Sequence, residues 1–223
     1  VGELAHRRDE INALNVFPVP DSDTGSNMAH TMEAAVAELD NGGDVADSLA
    51  FGAVRGARGN SGMVLSQVLR GVAESTVDSV IDGDVFARSL QQAVELVDRA
   101  IAEPVEGTVI TVLKAAAEAA DDAEAQSGAT LHSIVSAAIA AAEKALERTP
   151  SQLPALREAG VVDAGGAGLV ILLESLLAEI EGSTGHTGLP EPEPDTELEV
   201  VFFFEGDIDT LQVAIEPLGD SLV

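Results

Sequence analysis

Asn15-Val16-Phe17-Pro18-Val19-Pro20-Asp21-Ser22-Asp23-Thr24-Gly25-Ser26-Asn27-Met28 is the stretch around which the chain reads. Proline fixes its own φ and biases the residue before it towards an extended conformation, so Phe17-Pro18 and Val19-Pro20 predict a stiff, extended approach. Asp21 and Asp23 follow, one residue apart, where alternate side chains can converge on one point. Paired oxygen ligands with few protein contacts suit Mg²⁺, which keeps water and also binds substrate phosphate. The same residue types also build ordinary turns and helix N-caps. A metal loop and a capped turn are both open on these residues alone.

Outward from this stretch, the pattern is helical on both sides. Leu4, Ile11 and Leu14 form a partial apolar stripe that predicts a helix over Gly2 to Leu14, delivering Asn15 to the loop. Met28, Met32, Ala35, Val36 and Leu39 predict a second helix from Asn27 to Leu39, stopped by Asn41-Gly42-Gly43. Asp44 is placed to cap a third, running to Ala57. Gly56-Ala57-Arg58-Gly59-Asn60-Ser61-Gly62 then predicts a loop before a helix that resumes at Met63. Such a loop can turn backbone N–H groups towards an anion, or simply join two helices.

Further helices are expected over Val85 to Ala102, from Val109 to Ala120, and from Thr130 through an alanine-rich run that Pro150 and Pro154 end. Asp121 to Gly128 reads as a polar turn. Glu103-Pro104-Val105-Glu106-Gly107-Thr108 and Val162-Asp163-Ala164-Gly165-Gly166-Ala167-Gly168-Leu169 each precede or open a helix. Glycines thus recur at four helix starts: Gly25, Gly59 with Gly62, Gly107, and Gly165 with Gly166 and Gly168. In an antiparallel bundle alternate loops share one end, so these starts can form a rim suited to phosphate.

The chain has 223 residues, 46% of them hydrophobic, enough for one sizeable domain and a small appendage. Its net charge of −28 repels nucleic acid and anionic membrane surfaces, so neither is an expected partner. A polyphosphate ligand then needs compensation from metal, backbone N–H groups or a placed arginine. Arg58 is such an arginine, or else the partner of a surface carboxylate. The absence of cysteine removes disulfides and thiol chemistry and points to a cytoplasmic setting. No apolar run is long enough for a membrane span, and no signal pattern opens the chain. Residues 183–196, rich in Pro and Gly, read as a linker. Residues 197–223, with a strand over Leu198 to Phe204 and a helix over Ile208 to Ile215, read as the start of a truncated α/β middle domain. Both ends read as cut from something longer.

Taken together, the four glycine-bearing motifs resemble the nucleotide-binding domain of the bacterial fatty acid kinase catalytic subunit, a relative of the L subunit of dihydroxyacetone kinases. The resemblance covers residues 1–182. It implies an all-α domain, a closed barrel of about eight antiparallel amphipathic helices, with ATP and two Mg²⁺ at one end. By position, Asp21 and Asp23 match the catalytic, metal-holding aspartates. Thr24, Gly25, Ser26, Asn27 and Met28 match the phosphate side of that loop. Gly59, Asn60, Ser61 and Gly62 match the glycine loop over the phosphates, and Gly107, Thr108, Asp163, Ala164 and Gly165 match the walls of the nucleotide pocket.

The chain departs from the family pattern at three places. Dihydroxyacetone kinase L subunits carry a third aspartate where this chain has Val16, leaving Asn15 as the nearest third metal ligand. Ser22 replaces the glycine of the usual Asp-Gly-Asp, and Thr24 stands where the dihydroxyacetone kinases have histidine. The resemblance further implies a separate fatty-acid-binding protein that presents a carboxylate for phosphorylation. A carboxylate is ionised at neutral pH and needs no general base. It also brings a homodimer, through a missing C-terminal region, into consideration. The alternatives are an L-type phosphotransfer subunit acting on another substrate, and a non-catalytic nucleotide-binding regulatory module. For the isolated fragment, nucleotide binding without full kinase activity is expected.

Overall fold

In the computed structural model residues 1–182 are described, and their regular elements are helices, with no β-strand among them beyond an isolated bridge between Val77 and Val80. The helices are α1 (Gly2–His6), α2 (Arg8–Leu14), α3 (Thr24–Ala37), α4 (Val45–Gly56), α5 (Gly59–Ser75), α6 (Gly83–Ala100), α7 (Val109–Glu124), α8 (Leu131–Gln152), α9 (Pro154–Ala159) and α10 (Ala164–Ile180). Successive long helices from α2 to α8 pack side by side, α10 packs on α8 and α7, and α10 also meets α1, α2 and α3. With α1 and α2 counted as one broken arm and the short α9 set aside, eight helices close into a ring, the architecture expected.

Local chemistry explains most boundaries. The Asp44 carboxylate accepts from the N–H groups of Ala46 and Asp47 to start α4. Thr130 and Ser133 form a reciprocal capping box at α8. Close helix approach is bought by small residues: a Cβ on Gly52 or Gly56 would run into Ala34 of α3. The main core lies between α5, α6, α7, α8 and α10 and includes Leu90, Val97, Val112, Leu113, Ile134, Val135 and Leu169. A second cluster of Leu4, Ile11, Met28, Leu65, Ala164 and Ile171 ties the N-terminal arm to α3, α5 and α10.

Five boundaries differ from expectation. The first helix breaks at Arg7, where ψ is 13°. The second begins at Thr24 rather than Asn27, and ends in a 3-10 turn over Glu38–Asn41. Helix α5 starts at Gly59, so the expected glycine loop is largely the first turn of that helix, where N–H groups need no partner four residues back. Helix α7 runs on to Glu124, into the expected polar turn. Pro150 lies inside α8 instead of ending it. A proline there withholds the N–H that Leu146 O would accept, and the Thr149 hydroxyl donates to that oxygen instead at 2.7 Å. The expected linker at 183–196 and the middle-domain strand and helix at 197–223 lie outside the described residues.

Candidate functional site

The starts of α3, α5, α7 and α10 meet at one end of the ring. Met28, Ser61, Val109 and Gly165, one from each, line a narrow cleft together with Val64, Leu65, Val68 and Leu169. The Ser61 hydroxyl lies 3.5 Å from Thr24 O. Gly59 sits against the Asn27 side chain and Gly62 against the Thr31 hydroxyl, so any side chain at either would press on α3. Met28 is buried against Gly168 of α10, forming a wall of the cleft.

The acidic loop stands at the start of α3. Asp21 is exposed and Asp23 half-buried. Between them Ser22 takes φ 57°, the left-handed region that glycine tolerates and serine reaches at a cost of about 1 kcal/mol. Asn15, itself buried, donates from Nδ2 to Asp21 Oδ1. Asn27 donates to Asp23 Oδ2 at 2.7 Å. The Asn15 side chain is therefore held beside the carboxylate pair, with its amide oxygen separate from the bond to Asp21.

Sequence reading missed Asn12. Its Oδ1 accepts from Gly25 N at 2.7 Å and Ser26 N at 3.1 Å, and its Nδ2 donates to Ser26 Oγ at 3.0 Å. Helix α3 is thus capped from α2 rather than by its own N-cap residue, and these two N–H groups are taken. The available signal was that Asn12 stands three residues before Asn15, in the last turn of α2. At α5 the N-cap residue Arg58 makes no side-chain cap, leaving the first-turn N–H groups of Gly59, Asn60 and Ser61 facing the exposed rim.

Asp163 joins the other two starts. It is buried, caps α10 by accepting from Gly166 N at 2.7 Å, and also accepts from Val109 N at the start of α7. Burial pushes its carboxyl up to about 6, the two backbone N–H groups opposing the shift. Thr149, also missed, accepts from Asp163 N at 3.1 Å and so anchors this segment to α8. Ala164 and Gly165 are buried beside it, with Gly165 close to Val109. Gly107 takes φ 82° and packs on Thr149, Gln152 and Leu153, and its N–H donates to Thr111 Oγ1. The Thr108 hydroxyl donates to Val105 O. These two shape the turn into α7, while the other motif residues converge on the cleft and the acidic loop. Among the described residues Arg58 forms no ion pair, contrary to the surface salt bridge weighed for it.

A helical ring whose helix starts converge on a glycine-rich, carboxylate-bearing rim sets carboxylate acceptors and backbone donors side by side at one end. The DAK2 domain family matches residues 18–178, and the chain belongs to that family, the DhaL-like modules. It is 41% identical over 187 residues to Protein YloV of Bacillus subtilis (strain 168), covering 81% of this chain and 34% of that protein. It is 37% identical over 213 residues to an uncharacterized protein of Staphylococcus aureus (strain USA300), covering 93% of this chain and 39% of that one. The chain therefore spans little more than a third of the length of these relatives. Among the described residues, no helix is long and apolar enough to cross a membrane.

Proposed function

We propose that this chain is the nucleotide-binding module of a kinase that transfers a phosphoryl group from ATP, with Mg²⁺, to the carboxylate of a fatty acid presented by a separate fatty-acid-binding protein. One observation carries the reading: a carboxylate pair, exposed at Asp21 and half-buried at Asp23, and an uncapped helix start face the same rim. The first supplies acceptors for cations and the second supplies donors for anions.

The residues fit a magnesium nucleotide. No group of three or more His, Cys, Asp and Glu side chains that could hold an ion occurs among the described residues. An ion here relies on Asp21, Asp23, the Asn15 amide oxygen and oxygens from water or phosphate, the mixed set Mg²⁺ favours. When bound, two Mg²⁺ ions would offset the charge that spreads over a transferring phosphoryl group. The chain's own part is placement. Asn15 orients Asp21, Asn27 orients Asp23, and the N–H groups of Gly59, Asn60 and Ser61 would hold phosphate oxygens. Asp163 keeps the starts of α7 and α10 together as a wall for the nucleotide. A carboxylate acceptor asks for no proton removal, consistent with a rim whose position 24 is a buried threonine.

The test is calorimetry of ATP binding with Mg²⁺ and with EDTA, alongside acyl-phosphate formation by the full-length protein with a fatty-acid-loaded carrier. Binding is expected to require the metal, and Asp21→Ala or Asp23→Ala is expected to lower turnover by at least about 100-fold. Undiminished acyl-phosphate formation by either variant would overturn the proposal.

A further inference from the structure

The proline inside α8 orients a buried hydroxyl. Pro150 has no N–H for Leu146 O, and the Thr149 hydroxyl donates to that oxygen at 2.7 Å. With its proton committed, the Thr149 oxygen has only lone pairs to offer, and one of them accepts from Asp163 N at 3.1 Å. Thr149 is fully buried, so water does not replace either bond when the hydroxyl is removed. The same turn of α8 also supports the segment that enters α7. A Cβ on Gly107 would stand 3.1 Å from Thr149 O and 3.0 Å from Gln152 Cβ, so that segment rests directly on the Thr149 turn.

Two segments are thus fixed on one point of α8. Asp163, held there by its own N–H, turns its carboxylate to Gly166 N at 2.7 Å and to Val109 N, which joins the starts of α10 and α7. They meet closely, since a Cβ on Gly165 would lie 3.2 Å from Val109 Cβ. Val109 and Gly165 are the residues that α7 and α10 give to the lip of the cleft. Among the described residues α8 lines none of the cleft, yet it carries the anchor of both walls. In an interior this closely packed, a shift of the Asp163 backbone is passed on to the gap between the walls rather than absorbed. The acidic loop is held separately, by Asn12, Asn15 and Asn27. Resting on the function proposed above, we infer that Thr149 is a positioning residue for the nucleotide: its hydroxyl, oriented by Pro150, sets the spacing of the α7 and α10 walls and so the affinity for ATP, without touching it.

The test measures ATP binding with Mg²⁺ by calorimetry and stability by urea denaturation, on the full-length protein and three variants. Thr149→Val keeps the side-chain shape but removes both bonds, and is expected to weaken ATP binding by about ten-fold. Thr149→Ser keeps the hydroxyl and is expected to bind within about two-fold of the parent protein. Thr149→Val combined with Pro150→Ala returns an N–H to Leu146 O but gives Asp163 N no acceptor. This double variant is expected to be more stable than Thr149→Val alone and to bind ATP as weakly. A threonine that only stabilised the fold would let affinity recover with stability, so such a recovery overturns the inference. Binding within about two-fold of the parent by Thr149→Val, or by the double variant where the single one does not fold, overturns it as well. So does a Thr149→Ser variant as weak as Thr149→Val. Absence of metal-dependent ATP binding by the parent protein would instead sink the functional reading beneath it, which separates the two failures.

Discussion

At the start of α3 the backbone turns at Ser22 with φ 57°, and at the start of α5 it turns at Gly59, also with φ 57°. Both starts lie on the same rim, yet they are finished differently. Helix α3 has its first N–H groups taken by Asn12 from α2, and what it shows outward is the carboxylate of Asp21. Helix α5 has no side-chain cap, and what it shows outward is backbone donors. One start has become an acceptor surface and the other a donor surface. A magnesium polyphosphate needs both, since its cations seek oxygens and its phosphates seek N–H groups. Repetition of a glycine motif along a chain therefore does not mean repetition of a role.

The strongest way to break the contrast is a methyl group at Gly25. Its Cβ would overlap the Arg8 carbonyl oxygen and crowd Asn12 Oδ1, so α2 must move away and the cap is lost with it. Gly25→Ala is expected to cost about 4 kcal/mol in urea denaturation, overpacking and the lost cap together. Gly59→Ala, which meets only the end of the Asn27 side chain but forces alanine into left-handed backbone, is expected to cost about 1 kcal/mol.

A third start sharpens the comparison through pH. The carboxyl of Asp163, at the starts of α7 and α10, sits near 6 in the folded chain because it is buried, and near 3.8 when unfolded. Between those values the folded state binds more protons, so this group's contribution to stability falls as pH rises from about 4 to 6 and is constant above. Relative to Asp163→Asn, the parent protein is expected to gain about 2 kcal/mol on going from pH 7 to pH 4, read from paired denaturation curves. A flat difference would mean that Asp163 is solvated in the folded state.

Next in size, Asn12→Ala removes the cap of α3 and is expected to cost 1 to 2 kcal/mol, roughly, whereas Arg58→Ala at the uncapped start of α5 is expected to change stability by less than about 0.5 kcal/mol. Equal losses would erase the distinction between the two starts. One substitution is expected to be a gain: Ser22→Gly relieves the left-handed serine and is expected to stabilise by about 1 kcal/mol, with the acidic loop otherwise preserved.

How much of this was legible beforehand follows the range of each interaction. Asp44 and Thr130 announce their helices because a cap bonds to N–H groups two or three residues away. The family's usual glycine between Asp21 and Asp23 was the sequence sign of the left-handed backbone that Ser22 adopts there. By contrast Asn12 reaches 13 and 14 residues along the chain, and Thr149 reaches 14 to Asp163; nothing in either residue's neighbourhood marks the partner. The start of α5 was misplaced because glycine is a poor helix former. Its first turn is held instead by contact of Gly59 with Asn27 and of Gly62 with Thr31, both on another helix.

By itself, then, the sequence determined the apolar periodicities that make helices, the local caps, and the acidic loop with its two carboxylates, because all of these act over a few residues. Only the tertiary structure decided that four helix starts share one rim, that Asn12 closes one of them while α5 stays uncapped, and that Asp163 is buried between two others. Those outcomes depend on which helix faces come within hydrogen-bonding distance, and that is set by closing the whole ring.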